Sequence, residues 1–269
     1  MSQVIIVGVG LFGSVAAALC RTAGHHVTTV DCERPMAASK CSGNLLKPSW
    51  LAKLERSQVE GGYQTLRDLY GVQTLRFKAP FGIPTNIDWV DPAKVLEQPD
   101  IRGKVSVVGD GWVRFDDGAK VSGKVLIAAG VWSRELVDIP GMKALCGARL
   151  LIHGSGFEPH VHLYAPYKHS CAFQISKNRI WVGDSTALLE ANWNKVSLQR
   201  IELLNARSNN FFNISVTAKR EALTGARPYV EGRKGYFERV SRNTWVSTGG
   251  AKNGLLLAAA QAKQFVEAL

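Results

Sequence analysis

A glycine-rich turn near the start of the chain places the strongest constraint on its fold. The apolar run from Val4 to Val7 leads into the sequence GVGLFG at residues 8–13, and a small-residue helix is predicted from Ser14 to Ala23. A second strand, His26 to Val30, then ends at Asp31. This order of strand, glycine turn, helix and strand is typical of a βαβ unit that binds a dinucleotide. The unit predicts an α/β fold built on a parallel sheet.

Each glycine of this turn has a steric reason. Gly8 permits a tight turn, Gly10 lets the backbone approach a pyrophosphate, and Gly13 lets helix and strand pack closely. The amides at the start of the helix then face the phosphates. Asp31 lies 18 positions after Gly13 and is expected to accept hydrogen bonds from the adenosine ribose, which disfavours NADP. The motif alone leaves both nicotinamide and flavin dinucleotides open.

Three later segments, in a fixed order after the glycine turn, reduce this ambiguity. They are Ala37-Ala38-Ser39 followed by Gly43, then Ala129-Gly130-Val131-Trp132-Ser133 after a mid-chain strand, then the turn from Thr248 to Leu255. With the glycine turn, these segments resemble the D-amino-acid oxidase and glycine oxidase superfamily of FAD enzymes. The resemblance implies an α/β fold in which a Rossmann-like FAD-binding domain is interleaved with a smaller antiparallel-sheet substrate (cap) domain.

The resemblance also implies which residues hold the FAD. They come from the four segments and from positions beside them: Gly8, Gly10, Leu11, Phe12, Gly13, Asp31, Arg34, Ala38, Ser39, Asn44, Val105, Ala129, Gly130, Trp132, Gly250, Lys252, Asn253, Gly254 and Leu255. The chain has no cysteine after Cys171, so we expect FAD that is not covalently attached.

The cofactor segments lie at both ends and in the middle of the chain, so the two domains are expected to alternate. The FAD-binding domain is assigned to residues 1–46, 96–140 and 221–269, and the cap to residues 47–95 and 141–220. Asp91 as N-cap and Pro92 as the first helical residue predict the helix that leads back to the FAD-binding domain. Other predicted elements are helices at 50–69 and 185–205, and strands at 105–108, 112–115, 124–128, 148–153, 160–164, 170–175 and 179–182.

One arginine is the first candidate for substrate binding. Enzymes of this family move hydride from the carbon beside an amine to the flavin, so the protein mainly orients the substrate. The segment Gly225-Ala226-Arg227-Pro228 resembles the family segment whose arginine binds the substrate carboxylate, a task suited to a bidentate guanidinium. A structural ion pair at a strand start is the alternative for Arg227.

Three further residues are catalytic candidates. Lys252 lies in the last glycine turn, where a cation near the flavin pyrimidine would stabilise negative charge, and a solvent-facing lysine is the alternative. Tyr167 and His169 alternate onto one side of a predicted cap strand. No metal is expected, because the histidines at 153, 160 and 162 have no carboxylate or cysteine at ligand spacing. Trp181 is interpreted as core or cap packing.

The charge of the chain points to an anionic partner. The sequence has 33 Lys and Arg against 22 Asp and Glu, a net charge of +11, and ten basic residues against four glutamates lie within residues 195–242. Such a surface attracts phosphates, although an ordinary basic surface is equally compatible. Together with the short cap, it favours an amino acid displayed on DNA, as in the branch of the family that hypermodifies phage thymidine. The substrate would be a glycyl-type thymidine, which releases glyoxylate and leaves an aminomethyl base.

Other functions stay open at this point. A conventional oxidase or dehydrogenase of free glycine, sarcosine or a D-amino acid has the same motifs, and a flavoprotein without redox turnover would share the opening turn. Molecular oxygen is the expected electron acceptor. No membrane span or signal peptide is predicted, and five cysteines without metal-ligand spacing suit reduced thiols, so a cytoplasmic location is expected, in the host if the chain is viral. The oligomeric state is left open.

Overall fold

The computed structural model describes residues 1–46, 54–77, 85–154, 162–165, 170–176, 178–184, 188–189, 201–206 and 219–269. The strands are β1 Gln3–Val7, β2 His26–Asp31, β3 Leu45–Leu46, β4 Gln73–Phe77, β5 Thr85–Trp89, β6 Ile101–Arg102, β7 Val105–Gly109, β8 Trp112–Phe115, β9 Lys120–Ser122, β10 Lys124–Ile127, β11 Met142–His153, β12 His162–Ala165, β13 Ser170–Ser176, β14 Arg179–Asp184, β15 Leu188–Leu189, β16 Lys219–Val230, β17 Tyr236–Ser241 and β18 Thr244–Thr248. The helices are α1 Leu11–Thr22, α2 Arg56–Tyr70, α3 Pro92–Val95, α4 at residues 201–206 and α5 Gly254–Glu267. Short 3₁₀ helices cover Ala38–Cys41, Gly130–Glu135 and Ala251–Asn253.

A six-stranded sheet forms the first layer, in the order β17-β18-β10-β1-β2-β6. Strand β1 is parallel to β2 and β10, β10 is parallel to β18, and β17 is antiparallel to β18. Ile5 lies beside Val125 of β10, which in turn lies beside Thr244 of β18. Segments from the beginning, middle and late part of the chain therefore form the centre of one sheet, as the alternating cofactor motifs predict.

Helices cover one face of this sheet and a small sheet covers the other. Helix α1 is rich in small residues such as Ala16 and Ala17, which lets it pack closely against α5. On the opposite face, Ile5 and Val125 pack in one apolar cluster with Val113 of the antiparallel sheet β7-β8-β9. The side chains on both faces of the parallel sheet are buried, and together they form the main hydrophobic core of the described residues.

A second large sheet is antiparallel, in the order β12-β13-β14-β11-β15, with β16 also paired to β11. The pairing of β11 with β16 runs without interruption from Met142 opposite Val230 to His153 opposite Lys219. Strand β11 alternates buried and half-buried residues along its whole length. The buried row, which includes Leu150 and Ile152, packs with Leu204 of α4, and Gly147 and Arg149 of the other row line the cavity described below.

The α/β fold with its separate antiparallel sheets is confirmed, and several local predictions hold. Asp91 caps α3 by accepting a hydrogen bond from the Ala93 amide at 3.0 Å, with Pro92 at the first helical position. The predicted strands at 105–108, 112–115 and 124–128 correspond to β7, β8 and β10. No helix among the described residues is long and apolar enough to cross a bilayer.

Two predicted helices, at 185–205 and 50–69, are wrong at their starts, and one further segment forms a 3₁₀ turn. Leu188 and Leu189 form β15, because β14 pairs only with residues 149–153 of β11 and leaves the backbone groups of Leu145 and Cys146 to be satisfied by another strand. The segment at Ala38 forms one 3₁₀ turn, because the preceding Ala37 is extended and bridges to β16. The predicted helix at 50–69 begins at Arg56 in α2, and its residues 50–53 lie outside the described part.

Adjacent glycines in α2 are expected to respond in opposite directions to alanine. A Cβ at Gly61 meets no atom within 4 Å, whereas a Cβ at Gly62 would lie 2.7 Å from the Leu256 carbonyl oxygen of α5. Gly61→Ala should therefore raise the free energy of unfolding by about 0.5–1 kcal/mol through helix propensity. Gly62→Ala should lower it by about 1–3 kcal/mol, since α2 and α5 must separate. Chemical denaturation of the two variants checks both signs.

Candidate functional site

One cavity of about 550 Å³ lies where the strands of the parallel sheet end. Its lining includes residues directly after β1, at the end of β2, after β10 and after β18: Gly8, Asp31, Ala129 and Gly250. The carboxyl ends of parallel strands are the usual place for a ligand site in such a sheet. The cavity then continues over β11, β14 and β16 of the antiparallel sheet, so both sheets contribute to it.

The glycine turn packs so closely against neighbouring atoms that its three glycines have no space for a side chain. Gly8 has a φ of +98°, and a Cβ there would lie 2.6 Å from the Ala128 carbonyl oxygen. A Cβ at Gly13 would lie 1.7 Å from the Gly8 carbonyl oxygen, so Gly13 shapes the turn although it does not line the cavity. A Cβ at Gly10 would lie 2.7 Å from Ser39 Oγ. The turn therefore presents bare backbone to a ligand at the start of α1, as a pyrophosphate requires.

Two polar side chains accept hydrogen bonds from backbone amides of this turn. The Asp31 carboxylate accepts a hydrogen bond from the Val9 amide at 2.8 Å, and Ser39 Oγ accepts one from the Leu11 amide at 2.8 Å. Both side chains also line the cavity. Each keeps further acceptor capacity, since a carboxylate has about four lone-pair sites and a hydroxyl also has a proton to donate. Asp31 and Ser39 are thus placed to contact ribose and phosphate groups.

Asn44 provides a test of whether the cavity suits a polar ligand. Its side chain is only 3% exposed and lines the cavity, yet neither Oδ1 nor Nδ2 has a hydrogen-bond partner in the described part of the chain. A buried amide without partners is costly, so such a group normally faces a ligand that satisfies it. The residue also has a φ of +49°, which Asn tolerates better than most side chains. These observations fit a bound FAD.

The structure brings almost all the predicted cofactor residues to this cavity. Every one of them lines it except Gly13, whose role is the packing described above. Arg34 is held at the edge by an ion pair with Glu135 at 2.5 Å, and its guanidinium lies 5.7 Å from the Trp132 ring centre. Lys252 lines the cavity from the 3₁₀ turn before α5 and is exposed to solvent.

The antiparallel sheet contributes a glycine-lined floor. Gly147, Gly183 and Gly225 are neighbours on one face of β11, β14 and β16, because Gly147 pairs with Gly225 and Arg149 with Gly183. The 3₁₀ turn lies against this floor, since a Cβ at Gly225 would be 2.8 Å from Ala38 Cα. The missing side chains thus let this turn and the arginine side chains of the sheet pack directly on the sheet backbone.

Arg227 projects into the same space from the interior of β16. It is half-buried, lies opposite Leu145 of β11, and lines the cavity. A Cβ at Gly147 would lie 2.9 Å from its Nη2 atom. The structure therefore places the predicted arginine beside the cofactor region, in the middle of a 12-residue strand instead of at a strand start. Tyr167 and His169 lie outside the described residues.

Sequence reasoning missed Arg149 and assigned Trp181 only to packing. Arg149 of β11 lines the cavity, donates a hydrogen bond from Nη1 to the Ala148 carbonyl at 2.6 Å, and has its guanidinium 5.3 Å from the Trp181 ring centre. Trp181 also lines the cavity, and a Cβ at Gly43 would lie 3.0 Å from its ring. The available signal was the position of Arg149 inside the strand predicted at 148–153, and the structure extends this strand back to Met142 and so includes Gly147.

The Cys41 thiol lies near the positive charges of Arg149 and Arg227. The thiol is buried and donates a hydrogen bond to the Thr224 carbonyl at 2.8 Å. Burial raises the pKa of the Cys41 thiol to about 11, while the positive charges of Arg149 and Arg227 act in the opposite direction. The thiol is therefore neutral at physiological pH and is not a nucleophile. The two guanidiniums supply positive charge to this end of the cavity.

Removing the Asn44 amide is expected to weaken FAD binding selectively. Asn44→Gly keeps the left-handed backbone accessible and deletes only the side chain, so the apoprotein should be as stable or more stable. The dissociation constant for FAD should rise about 5- to 30-fold, because one or two hydrogen bonds to the cofactor are lost. Fluorescence titration of the apoprotein with FAD measures the constant, and Asn243→Gly in the β17–β18 turn is the matched control. An unchanged dissociation constant for FAD would show that Asn44 does not contact the cofactor.

Comparisons with solved structures agree with this architecture. Glycine oxidase from Bacillus cereus ATCC 14579 has a TM-score of 0.75 at 18% identity, with 99% of this chain and 96% of that chain covered. Iminodiacetate oxidase from Chelativorans sp. BNC1 has a TM-score of 0.70 at 16% identity, covering 97% and 93%. Fructosyl amine: oxygen oxidoreductase from Aspergillus fumigatus has a TM-score of 0.66 at 13% identity, covering 100% and 86%. At these identities the likeness establishes the fold.

Sequence comparison supplies the family. No curated protein sequence matches the chain significantly. The profile of the DAO family, described as FAD dependent oxidoreductase, matches residues 89–268, which is about two thirds of the chain. This match includes the Ala129–Ser133 segment, the Arg227 segment and the last glycine turn, and the first glycine turn precedes it. The chain therefore belongs to the DAO family of FAD-dependent oxidoreductases.

Proposed function

We propose that this chain oxidises the carbon–nitrogen bond of an amino acid that Arg227 holds by its carboxylate, and that the amino acid is a glycyl-type group on a thymidine of DNA. The observation that carries the first part is the position of Arg227 in the cavity that the FAD-binding turn opens into. An arginine fork is suited to a carboxylate, and fixing that group orients the adjacent carbon and nitrogen.

The reaction follows from the chemistry of such a substrate. The α-carbon loses a hydride and the nitrogen loses a proton, so an imine forms and two electrons leave the substrate. Bound FAD supplies the two-electron acceptor. Water then adds to the imine carbon and the carbon–nitrogen bond breaks, which releases glyoxylate and leaves an aminomethyl base. Molecular oxygen is the proposed final oxidant, reduced to hydrogen peroxide. Arg227 holds the carboxylate throughout.

The charges near the cavity support a substrate carried on DNA. Within the described part of the chain, three carboxylates of the lining, Glu33, Glu97 and Glu135, each lie within 4 Å of an arginine nitrogen. Lys40 and Lys252 also line the cavity, are exposed, and form no ion pair with any residue that the structure describes. Asp31 is a fourth carboxylate of the lining, and the two lysines outweigh its single negative charge, so the remaining charge of these groups is positive. Together with the net charge of +11, it favours contact with phosphates beyond those of the cofactor.

A direct assay compares free and DNA-borne substrates. The holoprotein is mixed anaerobically with glycine, sarcosine and DNA that carries carboxymethylaminomethyl-uracil, and bleaching of the flavin absorbance is followed. We expect bleaching by the modified DNA, together with glyoxylate in the product. Rapid bleaching by free glycine or sarcosine and none by DNA would favour the alternative, a conventional oxidase of a free small amino acid, which the likeness to the glycine oxidase fold also suits.

Ionic strength separates these two functions a second time. Three phosphate contacts would make the DNA affinity fall about 40-fold between about 50 and 200 mM salt, whereas a free amino acid should respond little. The double variant Lys40→Gln/Lys252→Gln should flatten this dependence. Lys263→Gln, at an exposed position of α5 outside the cavity, is the matched control. A DNA reaction rate that is insensitive to salt would contradict phosphate binding.

A further inference from the structure

Two arginines from neighbouring strands point at one place in the cavity. A Cβ at Gly147 would lie 2.9 Å from Nη2 of Arg227 and 3.8 Å from Nη1 of Arg149. Both guanidiniums therefore reach over the bare backbone of Gly147. An anionic group bound beside these guanidiniums meets two permanent positive charges.

The position of Arg149 is built into the sheet. Its aliphatic stem lies over Gly183 of β14, where a Cβ would be 2.2 Å from Arg149 Cδ. Its guanidinium lies near the Trp181 ring, and Nη1 is oriented by the Ala148 carbonyl. A cation beside an aromatic ring and a fixed acceptor loses little freedom when it binds an anion. The bare floor at Gly147 and Gly183 is what lets Arg149 reach the position of Arg227.

We propose that Arg149 is a second carboxylate-binding residue, and that it and Arg227 hold one substrate carboxylate together above Gly147. This inference rests on the proposed oxidation of an amino acid at this site. It defines the substrate class as amino acids, including N-substituted ones, because two guanidiniums that converge near one glycine favour an anionic group there. The charges of both arginines at Cys41 are consistent with their convergence on this end of the cavity.

The test measures carboxylate binding without turnover. The FAD-loaded protein is titrated with glycolate, a small carboxylate that has no amine, and the change in the visible flavin spectrum gives a dissociation constant. Arg149→Met should raise this constant about 10- to 100-fold, and Arg149→Lys should raise it less, because lysine keeps the charge and loses the fork. Arg179→Met is the matched control, since Arg179 is an exposed arginine of β14 that does not line the cavity.

Two further measurements separate a binding role from a structural one. The neutral analogue glycolamide should bind equally to the native protein and to each Arg149 variant. In addition, Arg149→Met/Arg227→Met should bind glycolate little more weakly than the single Arg227→Met variant, because both residues hold the same group. Strictly additive effects, or unchanged glycolate binding in Arg149→Met, would overturn the proposal. Equal losses for glycolate and glycolamide would show a structural role and overturn it as well.

Carboxylate binding by Arg149 and oxidation of the substrate can fail independently. Glycolate binding needs no oxidation and no DNA, so it can be weakened by Arg149→Met even if neither glycine nor modified DNA bleaches the flavin. In that event the proposed reaction fails and the paired carboxylate site stands. Normal bleaching by modified DNA in Arg149→Met, with an unchanged KM, would instead show that Arg149 does not bind the substrate carboxylate. The proposed function would then be unaffected.

Discussion

Replacing Arg227 with alanine is expected to lower kcat/KM for the amino-acid substrate by about 30- to 1,000-fold. The substitution removes a charge-assisted, bidentate contact worth about 2–4 kcal/mol, and it does so beside the cofactor region where orientation decides the rate. Most of the loss should be in KM, because the carboxylate contact exists before and during the reaction. Steady-state kinetics with the substrate that bleaches the flavin measures both constants.

The Arg227 prediction has two internal checks. Arg227→Ala should keep its yellow cofactor, because Arg227 lies on the antiparallel sheet and not in the glycine turns that are predicted to bind the dinucleotide. Arg179→Ala, an exposed arginine on β14, should leave kcat/KM unchanged. Loss of both FAD and activity in Arg227→Ala would show that the residue stabilises the sheet instead of binding substrate.

Gly13→Ala is expected to give a colourless protein. The added Cβ would overlap the Gly8 carbonyl oxygen at 1.7 Å, and neither atom can move away by changing a side-chain rotamer. Helix α1 would have to shift away from the turn that is predicted to bind the pyrophosphate, which should destabilise the fold by about 2–4 kcal/mol. Absorbance of the purified protein reports retained FAD, and thermal unfolding reports stability.

The control for this substitution lies in α2. Gly61→Ala adds the same methyl group where nothing is within 4 Å, so it should retain FAD and gain a little stability. A yellow Gly13→Ala protein of native stability would contradict the packing role of this glycine.

The parallel sheet was predictable because its signals are local. A glycine turn between a strand and a helix is readable from about 30 residues, and Asp91 with Pro92 marks a helix start by their own side-chain chemistry. The order of the later segments predicted that strands from the middle and the end of the chain join the same sheet. These features depend on neighbouring residues, so the sequence carries them without knowledge of the tertiary fold.

The substrate end of the cavity was only partly predictable because its contacts are long-range. Arg149 and Arg227 are 78 positions apart in the sequence, and only the pairing of β11 with β16 brings them over Gly147. The β15 strand at Leu188 depends in the same way on an open edge of β11. Local propensity contains no information about such pairings, which is why a lone arginine in a β-rich stretch attracted no prediction.

The interleaved order of the parallel sheet has a consequence for biosynthesis. Strand β10 cannot gain its outer neighbour until residues 244–248 have left the ribosome, so the nascent chain must wait with an incomplete sheet and exposed apolar edges. Closing such long loops is entropically slow. The protein should therefore acquire its cofactor after translation and depend on chaperones during synthesis, and FAD supplied during refolding should raise the yield of native molecules.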